Sequence, residues 1–580
     1  MKRCPQCNRV ETDEGLKFCR VDGATLIESP ATGNETGSAQ VGSASDASEV
    51  HTSILQKPGA QRVTGPTTTL PSQAPAATGA LAKPKSRKTI IIGVIVVALV
   101  IAVTGALLKV YLLKSSSAAI DSIAVLPFEN RSNDPDADYL CDGLAESLIY
   151  RLSQLPNLKV SPTSSVMRYK GKGGELNTIA NELGVRTVLT GRLLQRGDNL
   201  TISLELIDVA NKRVLWGEQY DREMSEVLAT QREIAREIVD KLKLKLTGQE
   251  QGLTKHYTES NEAYQSYLKG RFYFNKRNEA GFQKSLEYYQ QAIEKDPTFA
   301  LAYVGLADTY ALLGSPESGG SMSPNETLPK AKAAAMKAQE IDGSLAEPHV
   351  SLALVKYQYD RDWAGADREF KRAIELNPNY PQAHHWYAIY LAAVDRHAEA
   401  LAEIKRAHEL DPLSLPITAW LGRMLDRNGK PDEAIVELRK AIELDPNFVM
   451  THRGLGNVYE NNGKYKEAIA KSQEVAKLTG VKPATIADLA RIYALAGQRD
   501  EAEEYLNQLL QMSKQQYVSP ASIAKIYAAL GDRDKAFKWL DDADKAHDLN
   551  LMLLRSDRRF AALRSDPRFA KLVKRIGLPQ

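Results

Sequence analysis

Apolar and polar positions follow several distinct rhythms along this chain, and each rhythm predicts a different element. Residues 89–108 read TIIIGVIVVALVIAVTGALL, twenty positions without a charge. At about 1.5 Å of rise per residue, such a run spans the roughly 30 Å hydrocarbon core of a bilayer. A buried core helix would show a polar face, and this run has none, so one transmembrane helix over 89–112 is expected. A secretory signal does not fit, because the run begins far from Met1. Between 118 and 248 short apolar runs alternate with helical spacing. IAVLP at 123–127 predicts a buried strand, and 142–152 predicts a helix with Asp142 as its N-cap. Residues 175–183 read as a shorter helix, 214–220 as a strand and 224–246 as a long amphipathic helix. The strands 185–194 and 200–207 flank the hairpin turn Arg196-Gly197-Asp198-Asn199. Together these make a small α+β sandwich, with helices on one side of a mixed sheet.

From about residue 260 the pattern becomes periodic. Pro378, Pro412 and Pro446 stand 34 residues apart, and so do Leu354, Ala388, Gly422, Gly456, Ala490 and Ala524. Alanine recurs twelve residues after each of the latter, at 366, 400, 434, 468, 502 and 536. Small residues at these points let paired helices approach closely, and proline closes the second helix. Two looser repeats precede them, over 264–297 and from Ala300 onward, the second interrupted by a Gly/Ser/Pro insertion at 314–324. The sum is eight helix pairs over 260–545, an α-solenoid resembling the tetratricopeptide pattern, followed by a helical cap over 546–580. Side chains just after the small position point into the groove: Val355, Ile389, Arg423, Asn457, Arg491 and Lys525, with Arg453 one turn before Asn457. Arg423, Arg453, Asn457, Arg491 and Lys525 then form a basic and amide column suited to carboxylates and backbone carbonyls. The column loosely resembles the carboxylate-clamp grooves of peptide-binding tetratricopeptide proteins, and an acidic or C-terminal peptide is the expected ligand. The plainer reading is a solvated concave face.

Composition changes the picture mainly at the N-terminus. Of four cysteines, Cys4, Cys7 and Cys19 crowd the first twenty residues, which points to metal rather than disulfide. Asp22 stands where a fourth ligand is expected, and three thiolates with a carboxylate can hold a structural zinc. No His or Glu cluster surrounds them to manage an open catalytic site. The stretch resembles short bacterial zinc ribbons with a C-P-x-C opening and an F-C-x-x-D-G closing, over 1–27. It departs from their four-cysteine pattern. The bland reading is a zinc-stapled knob, the sharper one a docking or nucleic-acid-contacting ribbon, and the third a degenerate, metal-free remnant. Residues 28–88, rich in Ser, Thr, Ala, Gly, Pro and Gln, read as a disordered linker. Lys83, Lys85, Arg87 and Lys88 precede the apolar run, against Lys109 and Lys114 after it. That bias places the N-terminus in the cytoplasm and the repeats outside it, across a bacterial inner membrane. The reducing cytoplasm also suits unpaired thiols.

The middle region resembles the TolB amino-terminal, FlgO-like domain of bacterial signalling and envelope proteins. The motifs that carry the resemblance are IAVLPFENRSNDPDADYLCDGLAESL, SSVMRYKGK, ELGVRTVLTGRL and LELIDVANKRVLWGEQYDRE, in order over 123–223. It implies a signalling or envelope role and supplies no ligand. Gly171-Lys172-Gly173-Gly174 lacks the spacing of a phosphate loop and reads as a surface turn. Cys141 has no nearby His to activate it and reads as a buried structural thiol.

Lys plus Arg total 75 against 72 Asp plus Glu, which gives no electrostatic case for a nucleic-acid partner. No nucleophile–base pair, cofactor fingerprint or small-molecule substrate site is legible. The expectation is a non-enzymatic single-pass scaffold or receptor that binds protein partners through its groove. The alternative is a membrane-bound regulator whose cytoplasmic ribbon contacts nucleic acid or the transcription machinery.

Overall fold

The computed structural model describes residues 2–3, 10–11, 27–28 and 120–579, apart from 133, 156, 173, 243–254 and 316–321. The chain divides into two units, Met1–Ala98 and Leu99–Gln580. In the first unit β1 (Lys2–Arg3) pairs antiparallel with both β2 (Val10–Glu11) and β3 (Ile27–Glu28). Cys4, Cys7, Cys19 and Asp22 lie outside the described residues, as does the apolar run 89–108. Among the described residues no helix is long and apolar enough to cross a membrane.

The second unit opens with a mixed sheet ordered β6-β4-β7-β8-β9. Its strands are β4 (Ser122–Val125), β6 (Lys159–Val160), β7 (Thr187–Arg196), β8 (Asn199–Asp208) and β9 (Arg213–Glu223). A two-residue strand, β5 (Glu129–Asn130), extends the line of β4 along β7. Strand β4 runs parallel to β6 and β7, and all four of its residues are buried, as a strand covered on both faces requires. The antiparallel β8 instead alternates: Leu200, Ile202, Leu204 and Leu206 are buried and the residues between them are not, except Asp208 at its end. The hairpin between β7 and β8 turns in two residues, Gly197 and Asp198, with Gly197 at φ 60°. On β7, a Cβ at Gly191 would sit 2.4 Å from the Phe128 ring, so only glycine lets that ring lie against the strand.

Helix α1 (Asp138–Ser153) begins four residues earlier than its apolar spacing suggests. Asp142 is therefore no N-cap; it lies inside the helix, buried, and accepts a 2.7 Å bond from Lys170. The boundary was obscured because α1 is buried on two sides and shows no single apolar stripe. One side meets the sheet; on the other, Gly143 lies so close to Leu268 of the first repeat that a Cβ would stand 2.9 Å from it. The short α2 (Thr163–Val166) and α3 (Leu176–Leu183) lead from β6 to β7. After β9, the Glu223–Glu226 capping box starts a turn that becomes α4 (Val227–Leu242).

Eight helix pairs follow, from α5 (Asn261–Phe274) and α6 (Glu279–Lys295) to α19 (Pro520–Ala529) and α20 (Arg533–Lys545). The alanines at 366, 400, 434, 468, 502 and 536 are each at most 1% exposed, so the periodic small residue is where the helices of a pair touch. The first repeats share one apolar core with the α/β domain: Tyr264, Leu268, Phe299 and Leu301 cluster with Leu144, Leu148 and Leu152. Beyond Lys545 the chain does not simply cap the end of the array. It turns back through two 3₁₀ segments, Leu549–Leu553 and Arg558–Leu563, and a last helix, α21 (Pro567–Ile576). Leu551, Met552, Leu554, Phe560 and Leu563 of this tail are buried in the same cluster as Ile389, Leu421, Leu425 and Val458 of the repeats.

Candidate functional site

The inner face is built by the first helix of each pair, and the structure brings the basic column together there. Lys525, 2% exposed, bonds Asn550 Oδ1 at 2.8 Å and pairs with Asp557 of the tail at 3.2 Å, over the Phe560 ring. Arg491 makes a two-pronged bond to Glu460, 2.8 Å on each prong, and reaches Asp488 at 3.0 Å. Arg453 pairs with the same Asp488 at 3.3 Å. Arg423 lies over the Trp420 ring and, with Asn457, lines a cavity of about 30 Å³ closed by Ser556, Asp557 and Arg558 of the tail. That is room for about one water.

The column thus faces carboxylates supplied by the chain itself. Burial alone would raise the Asp557 carboxyl, but Arg559 and Lys525 outweigh it and hold the group well below its ordinary value. Asp488 is likewise lowered, against its burial, by Arg491, Arg453 and Arg559. Glu460, Asp488 and Asp557 were not singled out in the sequence. Glu460 and Arg491 stand 31 residues apart, one repeat less three, so a search for opposite charges at that offset would have found the pair. Asp557 carries no such signal, because the tail follows no repeat. The Cys141 thiol is fully buried and pushed up to about 12, chiefly by burial. Among the described residues no group of three or more His, Cys, Asp or Glu could hold a metal ion.

The periodic helix pairs match family models for a TPR repeat over 422–463 and for tetratricopeptide repeats over 288–319, 369–402 and 485–516. These are tetratricopeptide repeats. The α/β domain matches the model described as HilA/YgeH-like transcriptional regulator, second domain, over 118–239. The TolB amino-terminal resemblance rests on the motifs quoted above, whereas the description that matches is the HilA-like one. Among solved structures, the array is similar to PilF of Pseudomonas aeruginosa, at 23% identity over 37% of this chain and 94% of that one, TM-score 0.28. It is similar also to PilW, a type IV pilus biogenesis factor, at 20% identity over 38% and 97% of the two chains, TM-score 0.28.

A curated relative overturns one expectation. The chain is 34% identical over 234 residues to "Putative adenylate cyclase 3" of Rhizobium meliloti (strain 1021), covering 40% of each protein. It spans about two fifths of the length of that relative. The expectation of a chain without enzymatic activity therefore does not stand. Absence of a legible catalytic motif was its only support, and motifs dispersed along a chain escape such a reading.

Proposed function

We propose that this chain is a membrane-tethered regulator that captures a protein partner on its tetratricopeptide repeats and reports occupancy through the HilA-like domain. The shared core carries the reading: Tyr264, Leu268 and Phe299 of the repeats pack in one cluster with Ile123 and Leu189 of the sheet. A partner that shifts the first repeats therefore acts on β4, the strand that follows the apolar run 89–108 in sequence. That run is the tether, and its basic flank puts the N-terminus in the cytoplasm. Cys4, Cys7, Cys19 and Asp22 form a donor set suited to a structural zinc there. The column Arg423, Arg453, Asn457, Arg491 and Lys525 recognises acidic groups, and its resident one is Asp557. An outside partner meets the exposed outer helices first, where Val436 is 51% exposed.

Site-specific photo-crosslinking in membranes tests this. A crosslinker at Val436 should capture a discrete partner, while one at Asn457 should return adducts to the chain's own tail. No discrete partner captured at Val436 would sink the reading. For the tether, protease outside spheroplasts should remove the repeats and spare the ribbon. Metal analysis of residues 1–27 should return one zinc per chain, lost on Cys4→Ser.

A second reading is favoured by the Rhizobium meliloti relative, named "Putative adenylate cyclase 3": this chain has adenylate cyclase activity. Cyclic AMP formed by the purified full chain with ATP and a divalent cation would support it, and none formed would dismiss it. The HilA-like match favours a role in transcription instead, for which salt-sensitive DNA binding by the full chain is the measurement.

A further inference from the structure

The α/β domain carries a cleft that neither reading uses. From β4 the chain passes through α1 to β6 on one side, then through α2 and α3 to β7 on the other. The strand order therefore reverses at β4, which lies between β6 and β7, and in open α/β sheets the crevice beyond the carboxyl ends of strands at such a reversal is where ligands bind. Strand β4 stops at Val125, opposite Leu189, whereas β7 continues to Arg196. Past the end of β4, two cross-strand rows of the outward face lie uncovered: Thr190–Glu205–Gly217 and Arg192–Ser203–Gln219. Above them the segments following β4 and β6 enclose a cleft of about 930 Å³, at the upper end of the roughly 300–1,000 Å³ usual for small-molecule sites.

The charges in the cleft are divided by position. Arg131 and Arg192 share one carboxylate, Glu129, at 2.5 and 3.6 Å, so two guanidiniums face a single negative charge. Exposed Lys172 stands on the other wall, while its neighbour Lys170 is committed to Asp138 and Asp142. This edge is thus net positive. The floor, in contrast, is acidic and polar: Glu205, Ser203 and Gln219, which suit hydroxyl groups, with exposed Glu218 beside Gln219. Leu176 and Ile179 of α3 add an apolar side.

We propose that this cleft binds a small molecule bearing a phosphate on a hydroxyl-rich ring, of the sugar-phosphate or nucleotide class. The phosphate lies at Arg131, Arg192 and Lys172, and the ring hydroxyls lie over Glu205, Ser203 and Gln219. The site is separate from the repeat groove, which is lined by other residues.

Titration calorimetry on the detergent-solubilised full chain, with AMP, glucose 6-phosphate and inorganic phosphate as probes, tests the assignment. One of the two organic phosphates should bind at least tenfold more tightly than inorganic phosphate, and which one does so distinguishes nucleotide from sugar. Arg192→Glu should weaken it at least tenfold. Gly217→Phe should abolish it by filling the floor, since a Cβ there meets only ordinary contacts, Leu204 O at 3.6 Å and Glu205 Cγ at 3.9 Å. Circular dichroism should stay unchanged in both variants. No binding by either organic phosphate, binding that survives both variants, or inorganic phosphate binding equally well would each overturn the proposal.

Discussion

Single side chains set the response of this molecule to mutation and to pH. Arg491 is buried between Glu460 and Asp488, and removing one member of such a group strands the others in a low-dielectric interior. Arg491→Ala is therefore expected to cost about 3–5 kcal/mol, read as a lower urea midpoint with an unchanged slope. Two further groups titrate in opposite senses. Burial, reinforced by nearby Asp308, raises the Glu347 carboxyl to about 7 despite bonds that favour its charge. Its contribution to stability is full below the unfolded value of about 4.3 and is lost as pH rises through about 7. Burial, with Arg277 nearby, lowers His385 to about 3, so its contribution is full above the unfolded value of about 6.5 and is lost as pH falls. The two slopes oppose each other between about pH 4.3 and about pH 6.5. Glu347→Gln should unmask the histidine slope, and unfolding midpoints should then climb with pH across that window. A flat profile in this variant would refute the assignment. Neither group was legible in sequence, because each owes its shift to neighbours supplied by other helices.

At the scale of elements, the repeats were legible and the tail was not, for one physical reason. Each helix pair buries the same small position, so the 34-residue period writes its packing into the sequence. The tail is held by partners with no fixed offset, such as Arg558 donating to the Asp426 carbonyl 132 residues away. Its apolar residues could be read as a cap, but nothing in their order says that they line the inner face. The hairpin of β7 and β8 was plain from its Gly-Asp turn, while the start of α1 was misplaced because two-sided burial erases the stripe that marks a helix. Phe560, fully buried beneath Lys525, measures the worth of the tail. Phe560→Ala should cost about 3–5 kcal/mol and render Arg558 and Arg559 susceptible to limited trypsin digestion. Resistance equal to wild type would mean that the tail is held elsewhere.

For the whole molecule, the α/β domain and the solenoid unfold together or they do not, and the contacts argue that they do. The hydroxyls of Ser164 and Ser165 both donate to Asp411, in the loop after the fourth repeat, and Arg271 of the first repeat binds Glu146 of α1. Domain edges are fastened at both ends of a shared core. One cooperative transition is therefore expected for residues 120–580, with fluorescence and circular dichroism midpoints coinciding; two separated midpoints would show independent domains. The tail adds a property of another kind. An array of stacked helix pairs is a spring, since each repeat touches only its neighbours. Here Arg361 of the third repeat donates to the carbonyls of Asp544 and Arg575, and Asn325 to that of Lys545. These bonds tie the far end of the spring to its second and third repeats and close a hoop between them. Tension applied across that hoop is borne by these bonds and by the buried tail before the repeats between them can stretch. A hoop of that stiffness passes a displacement along its circumference instead of absorbing it, and single-molecule pulling should show one high rupture force followed by a soft, stepwise extension.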